Sequence, residues 1–408
     1  MALALPWIFI FTSKSTQQSV SGAALAALGV ICCGYIAFNE AALSDQYGFI
    51  SGWEQFLIAS LLILITLEMA RRAIGWPLPL IASCFIIYGL FGQHIPGEFG
   101  HAGIPINSFL GTLIITEGGL WGNLTGVSVS IVAVFVIFGA ILNAGEAGKG
   151  FINIAVAAAG GLKGGAAKVS VLASALFGSI SGSASANVAS TGMVTLPAMQ
   201  KLGYPRRVAG AVEAVASTGG QIMPPLMGAG AFVMVELTGI PYEKIILAAL
   251  LPAILFFWTV WVGVNQYADK YDLKPYTADM LPARSVVIKT ALFFFIPFSI
   301  LLTVMFSGYT PQFAAAIAIL SAALLLLIGL DFRFDLRRAS KRFVDASLFS
   351  GQQVAMIASI ILCASLIVGV LSITGLGIKI TSSILSISGG SLWLALLLTA
   401  LACIILGM

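Results

Sequence analysis

Residue types capable of site chemistry concentrate between positions 177 and 242. The first group is the run Gly178-Ser179-Ile180-Ser181-Gly182-Ser183-Ala184-Ser185-Ala186-Asn187. Serine hydroxyls, an asparagine amide and freed backbone carbonyls are hard oxygen ligands suited to Na⁺, and a broken helix N-terminus suits a carboxylate. A strip of small residues for close helix packing is the plainer reading, although packing alone does not call for so many consecutive breakers. The second group is Ala216-Ser217-Thr218-Gly219-Gly220-Gln221-Ile222-Met223-Pro224-Pro225, in the middle of a long apolar stretch. A proline kink needs one proline; two glycines with two prolines unwind a helix and free its carbonyls. With Ser217, Thr218 and Gln221 this reads as a discontinuous helix lining the same site. Glu213 has two open readings: an acid inside the site, or a partner of Arg206 or Arg207 near the cytoplasmic edge.

Other chemistry is poorly supported. The stretch from Ala144 to Gly150 superficially resembles a phosphate loop. However, Asn143 takes the place of its first glycine, and Gly150 that of the hydroxyl residue that would bind Mg²⁺. No serine–histidine–aspartate set is visible, so no enzyme activity and no cofactor are expected. His94 and His101 share one polar loop without a carboxylate cluster and read as solvated. Cys32, Cys33, Cys84, Cys363 and Cys403 lie in apolar segments without metal-type spacing and read as small core residues.

These groups need elements that hold them in lipid. Of the 408 residues, 59% are hydrophobic and only 9% charged, and mean hydropathy is +1.03. A soluble chain carries roughly 25% charge, so a water-exposed globule is excluded. Apolar runs of about 16–22 residues match a hydrocarbon core of about 30 Å, and the alternating strands of a barrel are missing. The fold class expected is an all-α polytopic membrane protein. A net charge of +4 with loop-clustered cations gives orientation and does not point to nucleic acid.

Candidate spans lie near 21–38, 54–70, 77–92, 126–144, 207–236, 245–265, 287–307, 311–330 and 351–373. The stretch 1–12 is too short to cross alone. Basic residues gather at Lys14, at Arg71 and Arg72, at Lys149, Lys163 and Lys168, at Lys201, Arg206 and Arg207, at Lys270, Lys274 and Arg284, and from Arg333 to Arg342. Intervening loops carry Glu40, Asp45, Glu54, Glu98, Glu117, Glu236 and Glu243. Every basic cluster is cytoplasmic only if the segment 145–206 begins and ends on one side. Its apolar stretch 169–199 must then enter the membrane and return, as a re-entrant hairpin whose Gly/Ser tip lines a cavity or packs inside protein.

A weak repeat runs at an offset of about 230 residues. Val136 to Gly139 matches Leu366 to Gly369, Gly145 matches Gly375, Lys149 matches Lys379, Gly160 matches Gly390 and, with one gap, Gly178 matches Gly407. The charge rule sends 126–144 inward and 351–373 outward, so the copies have opposite topology. Chance similarity between glycine-containing apolar helices is the competing explanation. Inverted repeats with broken helices at the midplane are the architecture of secondary transporters. The chain stops at Gly407-Met408, where the second tip is due, so a carrier cut short there is expected.

The string FGSISGSASANVASTGMVTLPAMQKLGYPRRVAGAVEAVASTGGQIMPPLMGAGAF, from Phe177 onward, resembles the large membrane subunit of tripartite ATP-independent periplasmic (TRAP) transporters. It looks closest to the TAXI-type branch, in which small and large membrane subunits are fused. Upstream, LEMARRAIGWPLPLIASCFIIYGLFG, from Leu67, is similar to the region joining the two. The resemblance is strongest from about 67 to 250 and weak after 265. It implies an elevator mechanism: a transport domain with two hairpins moves against a scaffold. Na⁺ influx drives uptake of an organic anion delivered by a periplasmic substrate-binding protein.

On this chain it implies substrate and ion contacts at Ser181, Gly182, Ser183, Asn187, Ser217, Thr218, Gly219, Gly220 and Pro224, with Na⁺ at Ser181, Ser183, Asn187 and Gly219. Asn187 stands where many dicarboxylate-type relatives carry an aspartate. The implied layout has small-subunit-like helices over 1–92, N-terminally incomplete, and a periplasmic connector over 93–125. The first repeat covers 126–265, with hairpin 169–199 and broken helix 207–236. Scaffold helices and a cytoplasmic loop follow over 266–350, and a truncated second repeat over 351–408. The function expected is Na⁺-coupled uptake of small carboxylates or amino acids across a bacterial or archaeal inner membrane, with a TAXI-type binding protein as partner. A stand-alone dicarboxylate or citrate carrier is the nearest alternative, and a channel or non-transporting scaffold the alternative of another class.

Overall fold

A computed structural model describes residues 1–11, 16–330 and 333–407. Lys14, the last residue of the 1–12 stretch and Met408 lie outside the described residues, as does the side chain of Glu236. The described chain is α-helical without a β-strand; one isolated bridge pairs Ile328 with Phe334.

After a helical turn at Ala4–Pro6 come α1 (Thr16–Phe38), α2 (Gly52–Ile74), α3 (Pro77–Phe91) and α4 (Ile106–Ile114). Pro77 opens α3, where a missing N–H does no harm. Next are α5 (Asn123–Ala144), wound wider over Ser128–Val132, and α6 (Ala147–Ala159). The hairpin is α7 (Gly165–Ser181) and α8 (Ala184–Lys201). The broken helix is α9 (Arg206–Gly219) and α10 (Gly228–Thr238). Then follow α11 (Tyr242–Lys270), α12 (Arg284–Phe306), α13 (Pro311–Leu326), α14 (Leu336–Thr374), α15 (Leu376–Ser388) and α16 (Leu392–Gly407). Among the described residues six helices are long and apolar enough to cross a bilayer: α1, α3, α5, α11, α12 and α14 with their flanking turns. The protein is thus an all-α polytopic membrane protein.

Two helical stretches add to the expected layout, and the cysteine reading shifts. The connector 93–125 contains the helix α4, which buries Phe109 and Leu113. The stretch before 351 is helical, because Leu336 to Ser350 is free of Gly and Pro and continues into the apolar run as one 39-residue helix. Cys84 and Cys403 are exposed while Cys32, Cys33 and Cys363 are buried, since the outer surface of a membrane protein is itself apolar and a thiol there need not enter the core.

The chain divides into two compact units, Met1–Gly126 with Ala355–Met408, and Val127–Val354. In the first, Leu5, Phe9, Leu62, Ile65, Met69, Phe109, Leu113, Leu366 and Val370 form a core. In the second, small residues dominate where α7 meets α9 and α11: Ala166, Ala167, Ala209, Ala216 and Ala268 pack with Val171, Met199 and Val264. Small side chains let helices approach where lipid offers no hydrophobic drive for association. Large ones point outward instead: Leu247, Leu251, Leu255 and Trp258 of α11 are exposed. At the offset of the sequence repeat, α6 and α15 are both 13 residues long, and each is followed by a longer helix, α7 and α16.

Candidate functional site

The hairpin turns on one residue. Gly182 has φ +58° and ψ 6°, a left-handed conformation that costs other L-residues about 1–2 kcal/mol. Its N–H closes onto the Gly178 carbonyl at 3.1 Å, ending α7. Ser183 starts α8, its Oγ accepting the Ala186 N–H at 3.4 Å.

The tip meets the unwound segment between α9 and α10. A Cβ placed on Gly178 would lie 2.3 Å from the Gly220 Cα, and one on Gly182 would lie 2.4 Å from the Gly228 N. The Leu226 N–H reaches the Ser179 carbonyl at 3.4 Å. A cis peptide joins Pro224 to Pro225, both buried, and the Tyr242 hydroxyl donates to the Pro225 carbonyl.

Asn187, fully buried, bridges the two groups. Its amide nitrogen donates to the Ser174 carbonyl at 2.9 Å and the Ser217 carbonyl at 3.4 Å. Its oxygen faces the Thr191 hydroxyl at 3.4 Å. Below it lies Glu213, 1% exposed. Ser170 and Thr195 donate to its Oε2 at 2.7 and 2.5 Å, and Thr191 and Ser217 to its Oε1 at 2.5 and 3.3 Å. A carboxylate has about four lone-pair sites, so this cage fills them with neutral donors from α7, α8 and α9. Of the two open readings of Glu213, the pair with Arg206 or Arg207 does not form. Both arginines are exposed, and the hydroxyls take the carboxylate instead.

The residues expected at the site separate into groups. Asn187, Ser217 and Gly220 come together, as do Gly182 and the 227–228 turn. Ser183 shares a 3.2 Å contact with the Ser185 hydroxyl at the tip. The Ser181 Oγ is buried and, among the described residues, has no hydrogen-bond partner. Buried polar atoms are seldom left so. Thr218 faces out, its hydroxyl returned to the Ala214 carbonyl at 2.8 Å. Gly219 backs onto α11, where a Cβ would meet the Phe256 ring at 2.4 Å. Ser170, Ser174, Thr191 and Thr195 belong to the site without having been singled out. Their signal was spacing: 170/174, 191/195 and 213/217 are polar pairs four apart, each on one face of an apolar helix.

The phosphate-loop lookalike has another role. Glu146 is buried at the start of α6, bonded to Arg342 of α14 and paired with Lys149 at 3.0 Å. His94 is exposed, whereas His101 is partly buried and packs edge-on to Tyr88. No group of three or more metal-ligating side chains occurs among the described residues.

Membrane-length helices around a helical hairpin docked on an unwound helix define a membrane transport protein. Residues 61–408 match the family described as tripartite ATP-independent periplasmic transporter, DctM component, and the chain belongs to that family. No curated protein matches the chain. Membership makes it a permease component of a transporter, of a family that is not enzymatic, and implies a periplasmic binding protein as partner.

Proposed function

We propose that this permease couples Na⁺ entry to uptake of a small organic anion, a carboxylate or amino acid, released to it by a TAXI-type binding protein. In this reading the small and large subunits are fused, with the small-subunit part within 1–92, and the protein resides in a bacterial or archaeal inner membrane. The hairpin α7–α8 and the broken helix α9–α10 form the moving half-site of an elevator, and a second inverted repeat begins near 351.

The observation that carries this reading is the docking of the tip on the unwound segment. Two glycine contacts bring freed backbone groups of both breaks together inside the protein, where oxygen ligands and helix ends serve a cation and a carboxylate. The partnerless Ser181 Oγ is an oxygen suited to Na⁺ at that junction. Asn187 contributes as a strut, holding the Ser217 and Ser174 carbonyls in register. The Glu213 carboxyl group lies one hydroxyl away, that of Thr191, from the Asn187 amide.

The test is uptake of a labelled carboxylate mixture into proteoliposomes holding the permease, with an inward Na⁺ gradient and the binding protein outside. Accumulation that requires both is expected. Accumulation without the binding protein would favour a stand-alone carrier. Gradient-independent, non-saturating flux would make it a channel.

A further inference from the structure

The first unit holds a polar cavity, remote in sequence from the hairpin. It has a volume of about 550 Å³ and is lined by Gln93, Gly100, His101, Gly103, Thr374 and Lys379, among others. That is within the range of small-molecule sites, about 300–1,000 Å³. Of its lining residues, Gln93 is polar and exposed.

One positive side chain lies there. Lys379 lies in the first turn of α15, and its ammonium donates to the Gly100 carbonyl. Among the described residues it forms no ion pair, and an ammonium carries three donors, so two are left for a ligand. Thr374 is the last residue of α14, its hydroxyl donating to the Val370 carbonyl at 2.7 Å and accepting the Leu376 N–H at 3.4 Å; the C-terminal end of α14 and the N-terminal end of α15 meet here, and their opposite partial charges offset. The opposite wall is fixed. His101 Nδ1 accepts the Gly103 N–H at 3.2 Å, which assigns the proton to Nε2, donated to the Tyr88 carbonyl at 3.1 Å. With both nitrogens engaged, His101 shapes the wall and Lys379 supplies the charge.

We propose that this cavity is a second anion site, taking a small organic carboxylate against Lys379. It does not rest on the transport reading, because binding here needs neither gradient nor binding protein. The experiment is amine labelling of the purified full chain with acetic anhydride, read by mass spectrometry with and without succinate, using succinate as probe. Labelling of Lys379 is expected to fall about tenfold once succinate reaches about ten times its dissociation constant. Lys163, exposed in the other unit, should keep its labelling. Succinate should also raise the thermal midpoint of the native chain and of Asn187→Ala, and should raise that of Lys379→Gln by less, since only the hairpin site is left to it there. Unprotected Lys379 at saturating succinate overturns the site. Equal protection by sulfate at matched ionic strength overturns the carboxylate assignment, and loss of protection in Asn187→Ala overturns its independence from the hairpin.

Discussion

Gly178 and Gly220 meet backbone to backbone: a methyl on the first would sit 2.3 Å from the Cα of the second. A Cβ at that distance displaces main chain, which cannot swing aside as a side chain does. Gly178→Ala should therefore push the hairpin off the unwound segment, costing about 1–3 kcal/mol. Gly210→Ala, on the exposed side of α9 with nothing within 4 Å, is the matched control. Thermal unfolding in detergent checks the pair: a lower midpoint for the first and an equal or higher one for the second. Equal midpoints for both would sink the close-contact account.

Gly182→Ala combines two penalties, the left-handed backbone at φ +58° and a Cβ 2.4 Å from the Gly228 N. Uptake by this variant should fall further than that of Gly161→Ala, whose site is open. Comparable transport by the two would show that the tip tolerates the displacement.

Removing the Glu213 carboxylate strips four donors of their shared acceptor. Hydrogen bonds to a charged group contribute about 1.5–3 kcal/mol each, without adding fully. Thr191 and Thr195 have other acceptors, the Asn187 and Thr191 carbonyls at 2.8 and 3.0 Å, which softens the loss. Glu213→Ala should lower stability by about 3 kcal/mol. Glu213→Gln, keeping one acceptor oxygen, should fall between it and the native chain. Denaturant titration in mixed micelles orders the three, and a Gln variant as weak as Ala would contradict the cage.

Arg342→Ala leaves Glu146 buried with only the exposed Lys149 beside it. Breaking such a pair costs about 3–5 kcal/mol, whereas removing both members is far milder. The double variant Glu146→Gln with Arg342→Ala should regain most of the lost midpoint. Additive losses would mean the two side chains act separately.

How much of this was legible beforehand depends on periodicity and on partners. Apolar runs placed the helices, and the Gly/Ser and Gly/Pro strings placed both breaks, because breakers act locally. The side of α9 that Thr218 occupies was not visible in a string of neighbours, since Thr218 and Ser217 differ by a rotation of about 100° around the helix. The Glu213 cage escaped for a similar reason. Three of its four donors are 18 to 43 residues away, and only matched four-residue spacings on three helices hinted that these faces converge. α4 was missed because nine residues between turns are too few to show a helical period against a loop.

Helix α14, at 39 residues, is about 58 Å long, nearly twice the depth of a hydrocarbon core of about 30 Å. Its opening turns, with Arg337, Arg338 and Lys341 exposed and Arg342 held by the buried Glu146, must therefore extend beyond the lipid. A rod transmits rotation along its axis. A spin label at Lys341, which is exposed, would report from water any tilt or turn that the buried end undergoes.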